Sequence, residues 1–547
     1  MRHALGQGGI LGTDGGAEAG GKKKAGKLSH APKATTPGMR SGKRQPIFGR
    51  TMRRRAVWIW VLFSSSALLA QNVVRSAARP LVFQHVTVVD VTGGPAAPDR
   101  TVVVLDHRIS EIGKAGKVHV PRGARIVDAK GKFLIPGLWD MHAHTRPDAL
   151  TRQIVFPLDI ANGVTGIRDM AGDCVGGGDC DGKATFDVHL QWKKDIADGK
   201  LLGPRMIVGS AFVDGNPPLH PGSMAVSTPE EAREAVRYVK RRGIDFIKVY
   251  VTLSRPSYFA LAEEAKKLDI PFAGHVPAMV GAIEAAVAGQ KSEEHLYGAL
   301  EACSGHEAEM IVAREQLVKT EVVTSEAFGA LFEKQVSPLT YTGGDCAEFF
   351  RTLVQKGTWI VPTYNYWRSI ADDYFFGSER AQDSPRLRYI PVSLKEEWNR
   401  KYQSDFEKIT AEVAAKSREK FLKRLSFVKR LQGGGVGILA GTDSDMPYTF
   451  PGFDLHDELA MMVDGGLTPL EALQTATLNP ANYLSRPNDF GTVEKGKLAD
   501  LVLLDADPLI DIQNTRKISG VVVGGRYLDR AGLDKILSDV EAAAKRQ

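Results

Sequence analysis

Leu134-Ile135-Pro136-Gly137-Leu138-Trp139-Asp140-Met141-His142-Ala143-His144 is an apolar run that ends in two histidines. It carries a Pro-Gly turn signal and reads as a strand over Leu134–Met141. Alternate residues of a strand project to the same face, so the two imidazoles point the same way. Two neutral imidazoles on one rigid strand end make half of a metal site. An HxH pair alone carries little; its weight comes from what recurs downstream.

Four further segments carry candidate ligands. Ile244–Tyr250 reads as a buried parallel strand with Lys248 inside it, and burying an ammonium is costly unless its charge is neutralised or used. Ile270–Val276 is an apolar stretch that runs to His275. Ser292-Glu293-Glu294-His295 follows a helix and the Gly289 stop signal, and Val436–Asp443 ends in a carboxylate. Singly, His275 and His295 read equally as core or loop histidines. Lys248 reads as a stem that reaches solvent, and Asp443 as a cap or turn residue. Jointly they stand at the C-terminal ends of successive strands, where (β/α) barrels place their chemistry.

At these positions the chain resembles the amidohydrolase superfamily, within its imidazolonepropionase-like and prolidase-like metal-dependent hydrolases. The resemblance covers about residues 80–530. The family signature is HxH after the first barrel strand, Lys after the fourth, His after the fifth and sixth, and Asp after the eighth. His142, His144, Lys248, His275, His295 and Asp443 fill it in order. Gly491–Leu503 is similar to the tail signature, where the chain leaves the barrel. The resemblance implies that His142, His144 and Asp443 hold one divalent metal and that His275 and His295 hold a second. An N6-carboxylated Lys248 and a hydroxide would bridge them, with Asp443 as the general base. Zinc suits this N/O ligand set. The alternative is a mononuclear, imidazolonepropionase-like site, against which Lys248 argues because one metal needs no bridging carbamate.

Substrate contacts are less sharply marked. Tyr250 stands two residues beyond Lys248, on the same side of the strand, and is a candidate to meet the carbonyl or transition-state oxyanion. Arg168, near the end of strand 2, and His220, in the loop after strand 3, are candidates for a substrate carboxylate or carbonyl. A loop ion pair or turn packing reads equally well for both. His456-Asp457-Glu458-Leu459 reads as support for the Asp443 loop.

The fold class expected is α/β: a (β/α)8 TIM-like barrel over 134–487, inserted in a small β-sandwich built from 79–133 and 488–530. A helix follows at 531–547. Thr228-Pro229-Glu230-Glu231 opens a helix, and Pro256–Lys267 and Val280–Ala288 are connecting helices. Two insertions on the C-terminal face, about 300–345 and 365–430, exceed ordinary connections. The second ends in a helical run, Asp405–Leu431, and reads either as a lid or as peripheral packing or oligomer surface.

The net charge of +7 misleads. Residues 1–70 hold 13 Lys/Arg against 2 Asp/Glu, a net of +11, which leaves −4 on the remainder. The folded part is mildly acidic and offers nucleic acid no basic patch. Residues 1–51 read as a disordered or upstream-start extension and 52–78 as a signal peptide beginning at Met52, cleaved after Ala70 or Ala78. The apolar stretch is short for a membrane span, so a periplasmic or secreted protein without a stable anchor is expected. In such a compartment an even cysteine count predicts disulfides, here Cys174–Cys180 and Cys303–Cys346 among three possible connectivities.

The expected function is exported, binuclear amide hydrolysis on a dipeptide of Xaa-Pro type or an N-acyl amino acid. Lactone, carbamate or phosphotriester hydrolysis is the alternative. A homo-oligomer is expected by analogy with relatives.

Overall fold

The computed structural model describes residues 79–170, 185–220, 222–320, 345–371, 375–376, 379–380, 384–406, 411–444 and 447–546. The expected extension, the signal peptide and the Cys174–Cys180 pair lie outside the described residues.

The chain opens with β1 (Leu81–Val88), β2 (Ala97–Leu105), β3 (Arg108–Lys114), β4 (Arg125–Asp128) and β5 (Phe133–Pro136). It then enters β6 (Leu138–Ala143). The single strand expected over Leu134–Met141 is therefore two strands in different sheets. The break is at Gly137. Its N–H donates to Asp500 O at 2.7 Å, and a Cβ there would lie 2.0 Å from Thr165 Oγ1. Pro136 has no N–H to continue the first ladder. From Leu138, whose N–H donates to Gly163 O, a new ladder begins.

From β6 onward the strands of the next domain are parallel, and helices connect most of them. They are β7 (Val164–Asp169), β8 (Arg205–Val208), β9 (Val213–Asp214), β10 (Met224–Ala225), β11 (Ile247–Val249), β12 (Phe272–Gly274), β13 (Ser292–Glu294) and β14 (Trp359–Val361). They form two arcs, β6-β7-β8 and β10-β9-β11-β12-β13-β14. Single parallel bridges extend them, Gly209 to Phe246 and Ile360 to Ile438. The expected eighth strand, Val436–Asp443, is an extended segment with that one bridge. Met141 N donates to Ala440 O at 2.8 Å, but Ala440 N donates to Thr475 O and Trp139 N to Ala476 O. Carbonyls at the end of the helix Pro469–Thr475 thus take donors that a continuous ladder would use.

A two-residue hairpin, β15 (Phe375–Phe376) and β16 (Glu379–Arg380), precedes the return to the first domain through β17 (Leu501–Leu504), β18 (Ile518–Val523) and β19 (Arg526–Asp529). That domain is one eight-stranded mixed sheet, β19-β18-β17-β5-β1-β2-β3 with β4 beside β1. β5 pairs with both β1 and β17, so strands from both ends of the described chain join in this sheet. Phe83, Val102, Ile109, Leu134, Leu501 and Val522 pack its core.

The helix Pro229–Arg242 starts at Thr228, whose Oγ1 accepts from Glu231 N, and stops at Gly243 with φ 73°. The connecting helices run Arg255–Lys267 and Ala282–Ala288. The C-terminal helix Arg530–Ala544 buries Val540 and Ala544 against Ile154 and Leu158. In the first insertion, Cys303 and Cys346 are joined by a disulfide. In the second, the helix Ala411–Gly433 sends Phe421, Leu425, Val428 and Leu431 into the main core, so its C-terminal half packs rather than covers. Among the described residues no helix is long and apolar enough to cross a membrane.

A Cβ on Gly166 would lie 2.2 Å from Trp139 Cε2, and the Trp139 ring is itself stacked on Phe490. Gly166→Ala is expected to cost about 1–3 kcal/mol by overpacking. It should be read as a lower urea midpoint at unchanged m-value.

Candidate metal centre

Both histidines that end the β6 run face Asp443. His144 Nε2 lies 2.8 Å and His142 Nε2 3.4 Å from Asp443 Oδ1. His295, just after β13, places Nδ1 3.9 Å from Asp443 Oδ2. His142, His295 and Asp443 each offer one ligand atom within 4.8 Å of the others. The His275 ring centroid is 4.5 Å from that of His295, and Lys248 on β11 is fully buried. His295 and Asp443 take φ of 65° and 58°. That left-handed conformation costs a non-glycine residue about 1–3 kcal/mol. It is held by His295 N donating to Val361 O and Asp443 N donating to His142 O.

The imidazoles are oriented from behind. His142 Nδ1 donates to Glu294 Oε2 at 2.8 Å. Glu294 also accepts from Arg168 Nη2 at 2.9 and 3.0 Å and from Ser292 Oγ at 2.5 Å. His295 Nδ1 donates to Thr363 Oγ1 at 2.8 Å, and that hydroxyl in turn donates its O–H to Pro362 O. In both rings Nε2 is left as a lone pair. Such outer partners fix the tautomer and raise ligand basicity. Asp140 accepts from His142 N, Thr442 N and Thr442 Oγ1, tying the HxH strand to the segment that carries Asp443.

Three buried nitrogens here have no hydrogen-bond partner: His142 Nε2, Lys248 Nζ and His275 Nδ1. Buried polar atoms are normally paired, and leaving one bare costs about 1–3 kcal/mol. Burial, and then the Lys248 charge, holds His142 well below the ordinary histidine range. Burial does the same to His275, and it pushes His295 down to about 3 against the pull of Asp443. Lys248 is pushed down to about 8 by burial, although Glu294 and Asp443 oppose this. Burial works against the charge of Asp443, but the His144 hydrogen bond and the charges of His295 and Lys248 bring it down to about 2. Neutral imidazoles, an ionised carboxylate and a lysine with a bare, buried nitrogen are a donor set that fits divalent metal.

Beside this cluster, Tyr250 packs its ring 4.4 Å from His275 and stacks on Phe212 at 4.2 Å. Its hydroxyl and His220 Nε2 are 2.9 Å apart. Burial raises the phenol well above its usual range and keeps it a proton donor. Arg168 corrects the expectation of a substrate contact. It is 1% exposed and donates to Met141 O, Ser292 Oγ, Tyr483 Oη and Glu294. The buried carboxylate of Glu294 demands a cation, and Arg168 supplies it. Glu458, read as support for the Asp443 loop, instead accepts from Tyr364 N and Asn365 N, just beyond Thr363.

Glu294 itself was legible only as one of two carboxylates in a short buried strand. Tyr297 and Tyr366 also wall the site, with ring centroids 5.8 Å from His275 and 5.0 Å from His295. Their hydroxyls bond to each other, and Trp367 Nε1 donates to His295 O at 2.7 Å. Only their places just after β13 and β14 marked them in the sequence.

Parallel strands with ligands at their C-terminal ends, beside a β-rich domain made from both ends, define a metallohydrolase-like architecture. The model of the Amidohydrolase family matches residues 133–528, and the chain belongs to that family. An imidazolonepropionase of Geobacillus sp. (strain WCH70) is 39% identical over 115 residues, 20% of this chain and 27% of the relative. Adenine deaminase 3 of Rhizobium meliloti (strain 1021) is 29% identical over 106 residues, 16% of this chain and 18% of the relative. The chain thus matches these curated relatives over little more than a quarter of their length at most. Among solved structures, a bottromycin amidohydrolase aligns with TM-score 0.64 at 23% identity, over 86% of this chain and 91% of its own. A Xaa-Pro dipeptidase solved with bound methionine aligns with TM-score 0.56 at 19% identity, over 82% of this chain and 100% of its own. At these identities the likeness is one of fold.

Glu294→Gln is expected to lower metal affinity about 10–100-fold, because it weakens the partner that sets the His142 tautomer. Metal titration against a competing chelator, on protein shown folded by circular dichroism, checks this. Unchanged affinity would remove Glu294 from the site's support.

Proposed function

We propose that this protein is a binuclear metal-dependent amidohydrolase acting on a dipeptide of Xaa-Pro type or an N-acyl amino acid. The observation that carries the reading is the bare, buried Lys248 Nζ within electrostatic reach of His142, His275, His295 and Asp443. Carboxylation of that nitrogen replaces an unpaired cation by an anion with two oxygens, suited to lie between two cations. His142, His144 and Asp443 would hold one ion, His275 and His295 the other, within a closed eight-stranded barrel. Bound divalent ions, zinc in this reading, would supply Lewis acidity and bring the pKa of water to about 7.

The chain's own groups do the rest. Asp443 remains ionised at neutral pH, so it is free to take a proton from the attacking water and hand it to the leaving amine. Tyr250 holds its proton and donates its O–H to the carbonyl oxygen as that atom becomes an anion. His220 fixes the direction of the Tyr250 hydroxyl. Export to the periplasm or beyond belongs to the same reading, supported by the signal-like 52–78 segment and the Cys303–Cys346 disulfide. Assembly as a homo-oligomer is included by analogy of fold alone.

A panel of Ala-Pro, N-acetyl amino acids, an aliphatic lactone and an aryl phosphotriester, assayed with zinc and bicarbonate, tests the substrate class. The highest kcat/KM is expected on the amides, with at least a hundredfold loss in Lys248→Ala. A phosphotriester or lactone preference with inert amides would contradict the reading.

A further inference from the structure

A cavity of about 510 Å³ is lined by none of the residues described above as the metal centre. It opens among the helices Tyr364–Ala371, Ala411–Gly433 and Phe453–Asp464, near the turns Pro385–Tyr389 and Ile512–Arg516. Phe421, Leu425 and Met461 make one wall apolar. Arg368, Arg386, Arg418 and Arg516 line the rest.

Three of these guanidiniums crowd one carboxylate. Arg516 Nη2 donates to Asp457 at 2.6 Å, Arg386 Nη1 at 2.7 Å and Arg368 Nη1 at 3.3 Å. Asp454 takes a second bond from Arg386 at 3.0 Å, and Asp464 also lines the cavity. Three guanidiniums therefore meet two carboxyl groups, with Arg418 and Asp464 also on the cavity. Burial raises Asp454, with the Asp457 charge adding to it, and burial raises Asp464 as well. Arginine does not relieve such crowding by losing its proton. The terminal nitrogen Arg516 Nη1 is buried without a hydrogen-bond partner.

One arginine is enough to neutralise a structural aspartate. Three on one carboxylate, a fourth beside them and a buried unpaired terminal nitrogen at the edge of an open cavity are the arrangement of an anion site. The volume lies within the ~300–1,000 Å³ common for small-molecule sites. We propose that this cavity binds a small organic anion, its carboxylate or phosphate-type head on the arginine wall and its apolar body against Phe421, Leu425 and Met461. The forked guanidiniums suit the paired oxygens of either head.

Isothermal titration of the full-length protein with phenylphosphonate, phenylacetate and neutral benzyl alcohol tests this. At least one anion is expected to saturate a single site, at least tenfold more tightly than the alcohol, and the tighter head identifies the class. Two exposed positions on the cavity allow folded variants: Leu422, 52% exposed, and Arg418. Leu422→Glu and Arg418→Ala should each weaken the anion severalfold, with unfolding temperatures near wild type. The proposal is overturned by no saturable binding, by equal binding of the alcohol, or by anion binding unchanged in both variants, which would put the anion elsewhere, as at the metal centre.

Discussion

Glu294 lies between the guanidinium of Arg168 and the imidazole of His142, with none of its side chain open to water. A buried carboxylate is tolerable only where its charge is paired and its oxygens are hydrogen-bonded. Arg168, Ser292 and His142 supply those bonds from β7, β13 and β6, so one charge fixes three strands to each other. The same placement sets His142 with Nδ1 as donor and Nε2 as lone pair. The direction of the first ligand is therefore a consequence of how a buried charge is neutralised.

The rest of the centre is arranged around cost already accepted. His295 and Asp443 hold left-handed backbone, and three nitrogens lie bare in the interior. No packing benefit explains those features together. Divalent cations held by the histidines and Asp443 would offset them, and the family membership and the fold likeness to amidohydrolases agree with that chemistry. The segment carrying Asp443 is joined to its neighbours by few backbone bonds, since Thr475 and Ala476 take donors that a ladder would use. Asp140 compensates by gripping both the HxH strand and Thr442.

The ligand set was legible in the sequence because His142, His144, His275 and Asp443 end apolar runs, Lys248 lies inside one, and His295 follows a helix and its stop signal. Strand and helix positions followed from the same alternation and from caps such as Thr228 and Gly243. What stayed hidden depended on partners distant in sequence. Gly137 splits an apolar run because of Thr165 and Asp500, neither adjacent to it. Arg168 looked free for substrate because its acceptor, Glu294, lies 126 residues away. Tyr297 and Tyr366 gained meaning only when β13 and β14 were side by side. Short β-runs likewise marked the strands of the first domain but not the order in which they pair.

The central claim is that these residues hold two divalent cations about a modified Lys248. A crystal structure of protein grown with zinc and bicarbonate, with anomalous data at the zinc edge, tests it most directly. Two anomalous peaks are expected about 3.5–4 Å apart, one beside His142, His144 and Asp443 and one beside His275 and His295, with added density on Lys248 Nζ. A single peak, or none, with a bare Lys248 amine would contradict it.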